Sequence, residues 1–451
     1  MSHNSSEIEE KRRAITVRGL SGLGNLGNTC YMNAVLQCLM ATDVFSMYIR
    51  ERHFKDDLRT GTIESLAEEK RRRDKLGKDD EVVLKSGNIK KHFKDSITYR
   101  LYQVLATMWS FNCTVRPRKF KELVGKKCDT FKGYSQNDSQ ELLNFLLDRI
   151  HEETKTDVDL EFCDVPESVR VYQQMKQKYN AQLENPDITD DEKLKIMMAY
   201  NEYKVDKSTE DAIYKSFQYW KSYLKGNHSR IIDIFTGLYF TEIECLTCNN
   251  KTFTFEPFNM LQVAIPESSS AHSNTSIEEC LDGVTKSEHL TGDNQYLCDV
   301  CRKKTDAEKR TYIWNTPERL IIHLKRFKNN GFHTMKIDKF ISYPLTGLSL
   351  SGNMAPYAKK DVTYDLYGVV HHSGSLMGGH YIAYTKNPIN NLWYEFNDDD
   401  VVHVEPKEVD PEVVSRGAYI LFYKKSRPIV EDFGDDISVG SDDTVIEPNK
   451  C

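Results

Sequence analysis

The stretch Gly19-Leu-Ser-Gly-Leu-Gly-Asn-Leu-Gly-Asn-Thr-Cys-Tyr-Met-Asn-Ala-Val-Leu-Gln-Cys-Leu-Met40 decides how the rest of the chain is interpreted. Its first half is rich in glycine, the residue that adopts positive φ at the least cost. Three positions are expected to use that freedom: Gly22, Gly24 and Gly27. Its second half places apolar residues at helical spacing, after the candidate N-cap residues Asn28 and Thr29. The stretch therefore predicts a loop followed by a buried helix.

Cys30 is expected in the first turn of that helix. There the free backbone N–H groups and the helix dipole favour a thiolate over a thiol. Because the thiolate is the nucleophilic form of cysteine, Cys30 is a candidate catalytic nucleophile. The alternative interpretation is a small buried cysteine that only packs the start of a helix.

The composition limits the class of protein. The chain has 451 residues, of which 39% are hydrophobic and 29% charged, so it is long enough to bury a sizeable core. Its net charge of −7 gives no electrostatic reason to expect nucleic acid or an anionic membrane as a partner. No apolar run approaches a membrane span, and the polar N-terminus does not resemble a signal peptide. Eleven cysteines in this length predict a reducing compartment, the cytoplasm or the nucleus.

Polar segments divide the chain. Residues 1–18 and the acidic tail 425–451 are expected to be disordered. Two stretches with few apolar residues, at about 50–91 and 160–210, are interpreted as charged insertions. The first is expected to be a solvated helix or a loose segment, and the second to contain a turn, an N-cap and a short helix near 184–195. A spacer and a partner surface are both compatible with the second insertion.

Residues 133–150 predict a further helix, because a polar start is followed by an amphipathic pattern. Asp138 and Glu141 have the spacing of a capping box. Gln136 and Asp138 therefore have two interpretations: helix capping, which the residues alone favour, and a polar rim beside a cleft.

Strand-like runs dominate the C-terminal half, where apolar and β-branched residues cluster. Strands are predicted within 231–243, 319–327, 365–370 and 381–385.

Two Cys-x-x-Cys pairs lie in turns between these runs. The four cysteines are Cys245, Cys248, Cys298 and Cys301. Four thiolates match a tetrahedral Zn²⁺, whereas a redox Cys-x-x-Cys belongs in a βαβ setting that this region does not predict. We expect one structural zinc ion without a catalytic role, because four thiolates close its coordination sphere. Unrelated surface cysteines are the alternative.

A cysteine nucleophile needs a base and a group that orients the base. Among thirteen histidines His380 stands out, because Gly378 and Gly379 precede it and a predicted strand follows it. Another strand ends at Asn397 and Asp398, and either side chain is a candidate to accept a hydrogen bond from His380. Since neighbours on a strand face opposite ways, only one of the two is expected to face the imidazole. A structural histidine is the alternative for His380 taken alone.

These motifs together resemble those of the ubiquitin-specific proteases. Gly22–Gln37 is similar to the cysteine box of that family, Gly133–Leu143 to its Gln/Asp box, and 366–401 to its histidine box. The segments between them, including both cysteine pairs, follow the family order. The resemblance covers most of residues 19–160 and 212–424 and leaves the insertions and both tails outside.

The resemblance implies an α+β, papain-like cysteine protease fold over residues 19–424. A helical thumb would carry Cys30, a β-rich palm would carry His380, and zinc-bearing β fingers would hold ubiquitin. It implies a thiol hydrolase that cleaves the bond after the C-terminal glycine of ubiquitin, with Asn397 as the orienting residue. A regulatory partner subunit is compatible with this interpretation. A non-catalytic ubiquitin-binding scaffold and a zinc-stabilised interaction module are the alternative functions.

Other roles are implied by the resemblance alone. Asn25 would donate a side-chain N–H to the oxyanion. Independently of the resemblance, Asp398 is a candidate to supply charge from behind Asn397 or to bind a water near the oxyanion. Five residues would line the channel for the ubiquitin tail: Gln136, Asp138, Gly378, Gly379 and Tyr381. The sequence departs from the family pattern at Asn137, where His is frequent, and at His371, where Asn is frequent.

Overall fold

The computed structural model describes most of the chain between Val17 and Ser426. The described residues are 17–75, 91–162, 165–266, 275–329, 334–358, 362–375 and 378–426. The expectations for residues 1–16, for residues 76–90 of the first insertion and for the acidic tail from 427 onward lie outside this described part.

Helices dominate the N-terminal half. In chain order they are α1 Cys30–Ala41, α2 Asp43–Arg50, α3 Phe54–Lys75, α4 Ile97–Ser110, α5 Arg118–Lys127, α6 Ser139–Thr154, α7 Glu167–Leu183, α8 Asp190–Asp206, α9 Ser208–Leu224, α10 Arg230–Phe235, α11 Ile277–Asp282 and α12 Val409–Val413. The helix predicted within 133–150 is confirmed as α6.

Strands form the C-terminal half. They are β1 Gly237–Cys245, β2 Lys251–Phe258, β3 Leu261–Ala264, β4 Thr275–Ser276, β5 Glu288–Leu290, β6 Tyr296–Cys298, β7 Lys303–Thr305, β8 Ala307–Asn315, β9 Arg319–Lys325, β10 Phe327–Asn329, β11 Thr334–Lys336, β12 Ile341–Ser342, β13 Leu348–Ser349, β14 Thr363–Ser375, β15 Gly378–Lys386, β16 Trp393–Asn397, β17 Asp400–His403 and β18 Ala418–Lys425. The larger sheet, here called the palm sheet, has the order β17-β16-β15-β14-β18-β9-β3, with β13 paired to β14. The finger sheet has the order β2-β1-β8-β5. The predicted α+β class is confirmed.

The palm sheet is buried on both faces. Neighbouring residues of a strand point to opposite faces, so Val370 packs under the helices while Val369 packs in a second core on the far side. In β18, Ile420 likewise packs under the helices and Leu421 packs in the second core. Each such side chain contributes about 1.5–3 kcal/mol of hydrophobic free energy. Burial on both faces explains why these strands are nearly continuous apolar runs in the sequence.

α1 lies between the other helices and the palm sheet and is buried on every side. All 12 of its residues are buried, with β15 and α6 among its neighbours. The predicted start at Cys30 is confirmed, but Thr29 occupies the N-cap position without a capping side-chain hydrogen bond. The Thr29 hydroxyl instead accepts a hydrogen bond from the Leu26 N–H at 2.9 Å, because the preceding loop turns back over it.

The first insertion begins later than expected. Phe54 and Leu58 of α3 are buried in the same core as α1, so the core extends beyond residue 50. Gly61 approaches α6 closely, and a Cβ there would lie 2.7 Å from the Glu153 carbonyl oxygen. The helical interpretation is confirmed, but a solvated or loose segment is wrong for the first turns, because their few apolar residues all face α6 and the core.

The second insertion, at about 160–210, contains the helices α7 and α8 and ends at the start of α9. The predicted N-cap is confirmed, since Thr189 and Glu192 form a capping box, but α8 has 17 residues and is not short. Tyr172 of α7 stacks on Tyr203 of α8 with ring centroids 5.8 Å apart. α9 in turn packs on the finger sheet, where Tyr219 contacts Phe255 at 5.9 Å between centroids. Tyrosine rings therefore supply much of the packing that aliphatic residues would otherwise provide.

The predicted strand over 231–243 is only partly correct. Residues 230–235 form the helix α10, and the strand begins at Gly237. Ile231 packs in the same core as α1, whereas Ile232 packs in a separate small cluster with Leu224. A short apolar run buried on two sides does not distinguish a helix from a strand by periodicity alone.

Among the described residues, no single helix is long and apolar enough to cross a membrane. The consecutive helices α1 and α2 meet the length and composition criteria only when taken together, and they are bent by 93° at the break between them.

Candidate active site and metal centre

Cys30 lies where the helix α1 meets the palm sheet. It is the first residue of α1, and α1 packs directly on β15, which carries His380. The backbone N–H of Tyr381, the residue after His380, lies close enough to the Cys30 thiol to lower its pKa. The fold therefore brings the predicted nucleophile and the strand of the predicted base together across 350 residues of sequence.

His380 is oriented by Asn397. The imidazole Nε2 donates to the Asn397 Oδ1 at 2.7 Å, because β15 and β16 are antiparallel neighbours and Asn397 ends β16. An amide oxygen only accepts, so this bond places the ring proton on Nε2 and leaves Nδ1 as the basic nitrogen. Of the two predicted partners, the structure brings Asn397 to His380.

Asp398 faces the glycine-rich loop instead. Its φ of +53° turns the chain out of the strand, so the alternation of side chains ends at Asn397. One carboxylate oxygen accepts from the Asn25 Nδ2 at 2.9 Å, and the other accepts from the Asn33 Nδ2 at 2.7 Å. Asp398 thus ties the end of β16 to the loop before Cys30 and to α1.

Asn25 is held at both ends of its side-chain amide. Its Oδ1 accepts from the backbone N–H groups of Gly27 at 2.9 Å and Thr29 at 3.1 Å, so its Nδ2 must face Asp398. One N–H of Nδ2 is used by Asp398, and an amide has two, so the second is available to a ligand.

The expected use of the loop glycines is only partly correct. Gly27 has a φ of +106°, whereas Gly22 and Gly24 are not in the positive region. A Cβ at Gly22 would collide with the backbone of Asp399, and one at Gly24 would lie 2.9 Å from the Arg116 side chain. Gly22 is therefore required for a close approach to the turn after Asn397, and not for a positive φ.

Burial changes the expected charge of Cys30. The residue is 4% exposed, and this burial raises the pKa of its thiol above the usual range. The nearby Asp398 carboxylate raises it further, while the backbone N–H groups of Tyr381 and Tyr31 lower it. The expected stabilisation of a thiolate by the helix start is thus outweighed by desolvation. A base beside the thiol would therefore assist its ionisation.

Gln136 and Asp138 connect α6 to the palm. The Gln136 Oε1 accepts from the Gly379 N–H at 2.8 Å. The Asp138 carboxylate accepts from the Gln140 N–H at 2.7 Å as the N-cap of α6, and from the Tyr419 hydroxyl at 2.6 Å. The predicted capping box with Glu141 is not formed; Asp138 caps alone. The capping interpretation therefore holds for Asp138, whereas Gln136 links the start of α6 to β15.

The two glycines before His380 have different surroundings. A Cβ at Gly379 would collide with the His372 imidazole, whereas one at Gly378 would meet only the Ser375 hydroxyl, at 3.9 Å. The Tyr381 side chain is buried and its ring lies 4.5 Å from that of His372 between centroids. The Tyr381 side chain therefore packs against β14, which carries His372.

The two cysteine pairs adopt the same turn. β1 ends at Cys245 and β6 ends at Cys298. In the first turn the Asn249 N–H donates to the Cys245 carbonyl at 2.8 Å, and in the second the Arg302 N–H donates to the Cys298 carbonyl at 2.8 Å. Asn249 and Arg302 both have a φ of +56°. Each pair is therefore a separate knuckle with its two thiols on one side.

The knuckles meet to form one group of four thiols. All four sulfur atoms lie within 4.8 Å of one another. The Cys245 and Cys301 sulfurs are 3.9 Å apart, and those of Cys248 and Cys298 are 3.7 Å apart. Ligands bound at ~2.3 Å to a tetrahedral Zn²⁺ are about 3.8 Å from each other. The donor set and its spacing fit one tetrahedral metal ion.

Two residues at the cleft were not predicted. Asn33 is a polar residue in an otherwise apolar stretch of α1, three positions after Cys30, and that contrast was a usable signal. Tyr419 lies in the apolar strand β18, where nothing in the local sequence indicates a partner 281 residues away.

Comparisons with known proteins agree with this geometry. Residues 21–423 match the family described as ubiquitin carboxyl-terminal hydrolase. Ubiquitin carboxyl-terminal hydrolase 2 of Homo sapiens is 30% identical over 429 residues, which cover 95% of this chain and 58% of that protein. Ubiquitin carboxyl-terminal hydrolase 4 of Saccharomyces cerevisiae (strain YJM789) is 31% identical over 423 residues, which cover 90% of this chain and 39% of that protein.

A solved structure described as a SAGA DUB module bound to monoubiquitin shares the fold. Its TM-score is 0.58 at 22% identity, and the match covers 94% of this chain and 75% of that chain. The chain spans about 58% of the length of the human relative it matches. Because the family match extends from residue 21 in the glycine-rich loop to residue 423 in the last strand, the chain belongs to the ubiquitin carboxyl-terminal hydrolase family.

Proposed function

We propose that this chain is a cysteine-type deubiquitinating hydrolase that cleaves the bond after the C-terminal glycine of ubiquitin. The observation that carries the proposal is the hydrogen bond from the His380 Nε2 to the Asn397 Oδ1, which leaves Nδ1 as a base on the strand against which Cys30 packs. The names of the relatives support the choice of ubiquitin. Residues 19–424 form the catalytic domain in this proposal, as supported by the family match.

Acylation begins with removal of the Cys30 proton. His380 Nδ1 takes the proton, and the sulfur attacks the carbonyl carbon of the terminal glycine, forming a C–S bond. The tetrahedral intermediate collapses when the C–N bond to the substrate lysine breaks and His380 returns the proton to the leaving amine. The raised pKa of the buried thiol makes this base necessary, because little thiolate forms without it.

Hydrolysis of the thioester uses the same groups. His380 takes a proton from water, the hydroxide attacks the acyl carbon, and the C–S bond breaks. The sulfur recovers its proton from His380, and ubiquitin leaves with a free carboxyl group, which releases its proton to the solvent. The remaining Asn25 N–H is oriented by Asp398 and donates to the oxyanion in both steps. Asp398 is a positioning residue in this scheme.

The channel for the substrate tail runs between α6 and β15. Gln136 and Gly379 hold its two sides together, while Gly378 and the Tyr381 backbone border it near Cys30. Asp138 fixes the start of α6 through Tyr419. The hydrogen bond between the Gln136 side chain and the Gly379 backbone narrows this channel in the proposal, so a substrate tail without side chains is favoured. The terminal Gly-Gly of ubiquitin meets that requirement.

The four-cysteine centre holds one structural Zn²⁺ in this proposal. Cys245, Cys248, Cys298 and Cys301 would close its coordination sphere, so the ion supports the finger sheet and takes no part in the reaction. The proposal also includes a location in the cytoplasm or the nucleus, since Cys30 must stay reduced to react. A regulatory partner subunit is a further part of the proposal.

Hydrolysis of a ubiquitin conjugate with a C-terminal fluorophore tests the activity. The wild-type protein should release the fluorophore, and Cys30→Ala should abolish release while ubiquitin still binds. A ubiquitin probe with a C-terminal electrophile should modify Cys30 and leave Cys38 and Cys113 unmodified. Binding without turnover by the wild-type protein would identify a non-catalytic scaffold instead.

A further inference from the structure

Lys121 of α5 is a buried lysine that the proposed reaction does not use. The residue is 4% exposed, and burial lowers the pKa of its ammonium group. Among the described residues, no carboxylate lies within ion-pair distance of its Nζ. A buried charge without a counter-ion costs stability unless hydrogen bonds compensate for it. The contacts of the Nζ therefore indicate what this lysine does.

Both hydrogen bonds of the Nζ go to one short segment. It donates to the Phe131 carbonyl at 2.6 Å and to the Gly133 carbonyl at 2.6 Å. The Nζ also lies 5.6 Å from the centroid of the Tyr134 ring. Gly133 has a φ of +76°, so the chain reverses between the two carbonyls and presents both to the same cation. Lys121 thus fixes the shape of residues 131–134, here called the hinge segment.

The hinge segment leads directly into the proposed channel. Gln136, three residues after Gly133, accepts the hydrogen bond from Gly379. On the other side, the Tyr134 carbonyl accepts from the Asn28 Nδ2 at 3.0 Å, in the loop before Cys30. The Tyr134 side chain also packs beside Gly27, where a Cβ would lie 3.6 Å away. Moving the hinge segment would therefore move the channel wall and disturb the loop.

We infer that Lys121 is a positioning residue for substrate binding: its Nζ clamps the Phe131 and Gly133 carbonyls and so holds Gln136 in place beside Gly379. The inference rests on the proposed function for the identity of the substrate, but it also makes a prediction about binding alone. Lys121 does not touch Cys30, His380 or Asn397, so its loss should weaken binding more than chemistry.

Steady-state kinetics on the ubiquitin–fluorophore conjugate test this split. Lys121→Met keeps the length of the side chain and removes the donor, and it should raise KM about 10-fold while kcat falls less than about 3-fold. Lys121→Arg should recover most of the loss, because it restores a cation that can reach two carbonyls. Lys119→Met, an exposed lysine on the same helix, is the matched control and should behave as wild type. A merely structural lysine would instead reduce the amount of active enzyme at unchanged KM.

Binding in the Cys30→Ala background separates this inference from the proposed function. There the dissociation constant for ubiquitin should rise about 10-fold with Lys121→Met and stay unchanged with Lys119→Met. If Lys121→Met does not fold, Lys121→Gln keeps a shorter, uncharged donor and should show the same direction. KM and dissociation constant within 2-fold of wild type in the folded variant overturn the inference alone. A wild-type protein that neither cleaves nor binds ubiquitin overturns the proposed function and this inference together.

Discussion

The four-cysteine centre and the cleft around Cys30 use very different lengths of sequence. Each knuckle of the centre is complete within five residues, and the second repeats the backbone turn of the first. The cleft has no such local unit: the bond between Gln136 and Gly379 spans 243 residues, and that between Asn25 and Asp398 spans 373. Local turns can form before the fold is complete, whereas the cleft exists only after the thumb packs on the palm. Substitutions should therefore act on the two regions in different ways.

The largest expected effect among single orienting residues is at the end of β16. Asn397→Ala should lower kcat on the ubiquitin–fluorophore conjugate about 10- to 100-fold, because the imidazole loses its orientation but not its basicity. Asn397→Asp should keep substantial activity, since a carboxylate also accepts from the Nε2.

Asp398→Ala separates orientation of the base from orientation of Asn25. Removing this carboxylate should lower the Cys30 pKa, so iodoacetamide should alkylate the thiol faster at neutral pH. Turnover should nevertheless fall about 10-fold, because Asn25 loses its partner. A far larger loss than that of Asn397→Ala, in folded protein, would make Asp398 the residue that orients His380.

A matched pair of glycines tests how closely the cleft is packed. Gly379→Ala should lower kcat/KM about 10-fold or more, because its methyl group collides with the His372 imidazole. An increase of roughly 1.4 kcal/mol in the activation free energy is enough for a 10-fold loss. Gly378→Ala should remain within about 3-fold of wild type, since the space beside it is open. Equal effects of the two substitutions would contradict the structure of the channel wall.

The metal centre should respond to substitution without a direct effect on the chemistry. Cys298→Ser should reduce the zinc content of the purified protein from about one ion per chain towards none. We expect weaker ubiquitin binding and a lower melting temperature, but a kcat within about 3-fold of wild type. Cys113→Ser, an exposed cysteine outside the centre, is the control. Full stability of verified metal-free protein would contradict a structural role for the ion.

The sequence predicts the metal centre more completely than the active site, because the metal centre depends on local turns and the active site on contacts between distant residues. The spacing of Cys245, Cys248, Cys298 and Cys301 predicts the metal centre, because each knuckle depends on adjacent residues alone. Cys30, His380 and Asn397 were identified as candidates, and family resemblance selected Asn397 over Asp398. The partners of Asp398 were not predictable, because they depend on a left-handed turn that a strand pattern does not reveal. The contact of Tyr419 with Asp138 likewise depends on packing between distant elements.

Local propensity failed where tertiary packing decides the outcome. Thr29 has an N-cap residue type, but the loop uses its hydroxyl for Leu26. Ile231 and its neighbours have strand-forming residue types, yet they form the helix α10, because an apolar run buried on two sides fits either structure. The helix start at Cys30 was expected to favour a thiolate, but burial raises the pKa of the thiol.

The smallest expected effect is a change in acid sensitivity. His371 is buried and its pKa is lowered to about 4, chiefly by burial, while an unfolded histidine has a pKa of about 6.5. Above pH ~6.5 neither state carries the proton, and between about 6.5 and 4 only the unfolded state binds it. The free energy of unfolding should therefore fall by up to about 1.4 kcal/mol per pH unit through this group as the pH decreases.

His371→Asn should remove that contribution and reduce the slope by about one proton, measured from urea unfolding between pH 7.5 and 4.5. The measurement needs metal-free protein as well, because acid also displaces a metal from thiolates. A slope unaffected by His371→Asn in the metal-free state would contradict the lowered pKa.

The burial of α1 on every side gives the molecule two thiols that report on different events. Cys38 lies two turns after Cys30 in the same helix and is completely buried, and burial raises the pKa of its thiol far above the usual range. A thiol reagent should reach Cys38 only when the whole thumb unfolds, because no single neighbour can move aside to expose it. Under the proposed function, Cys30 should react in the native state. In one sample, labelling of Cys38 thus measures the population of unfolded molecules, and labelling of Cys30 measures the number of working active sites.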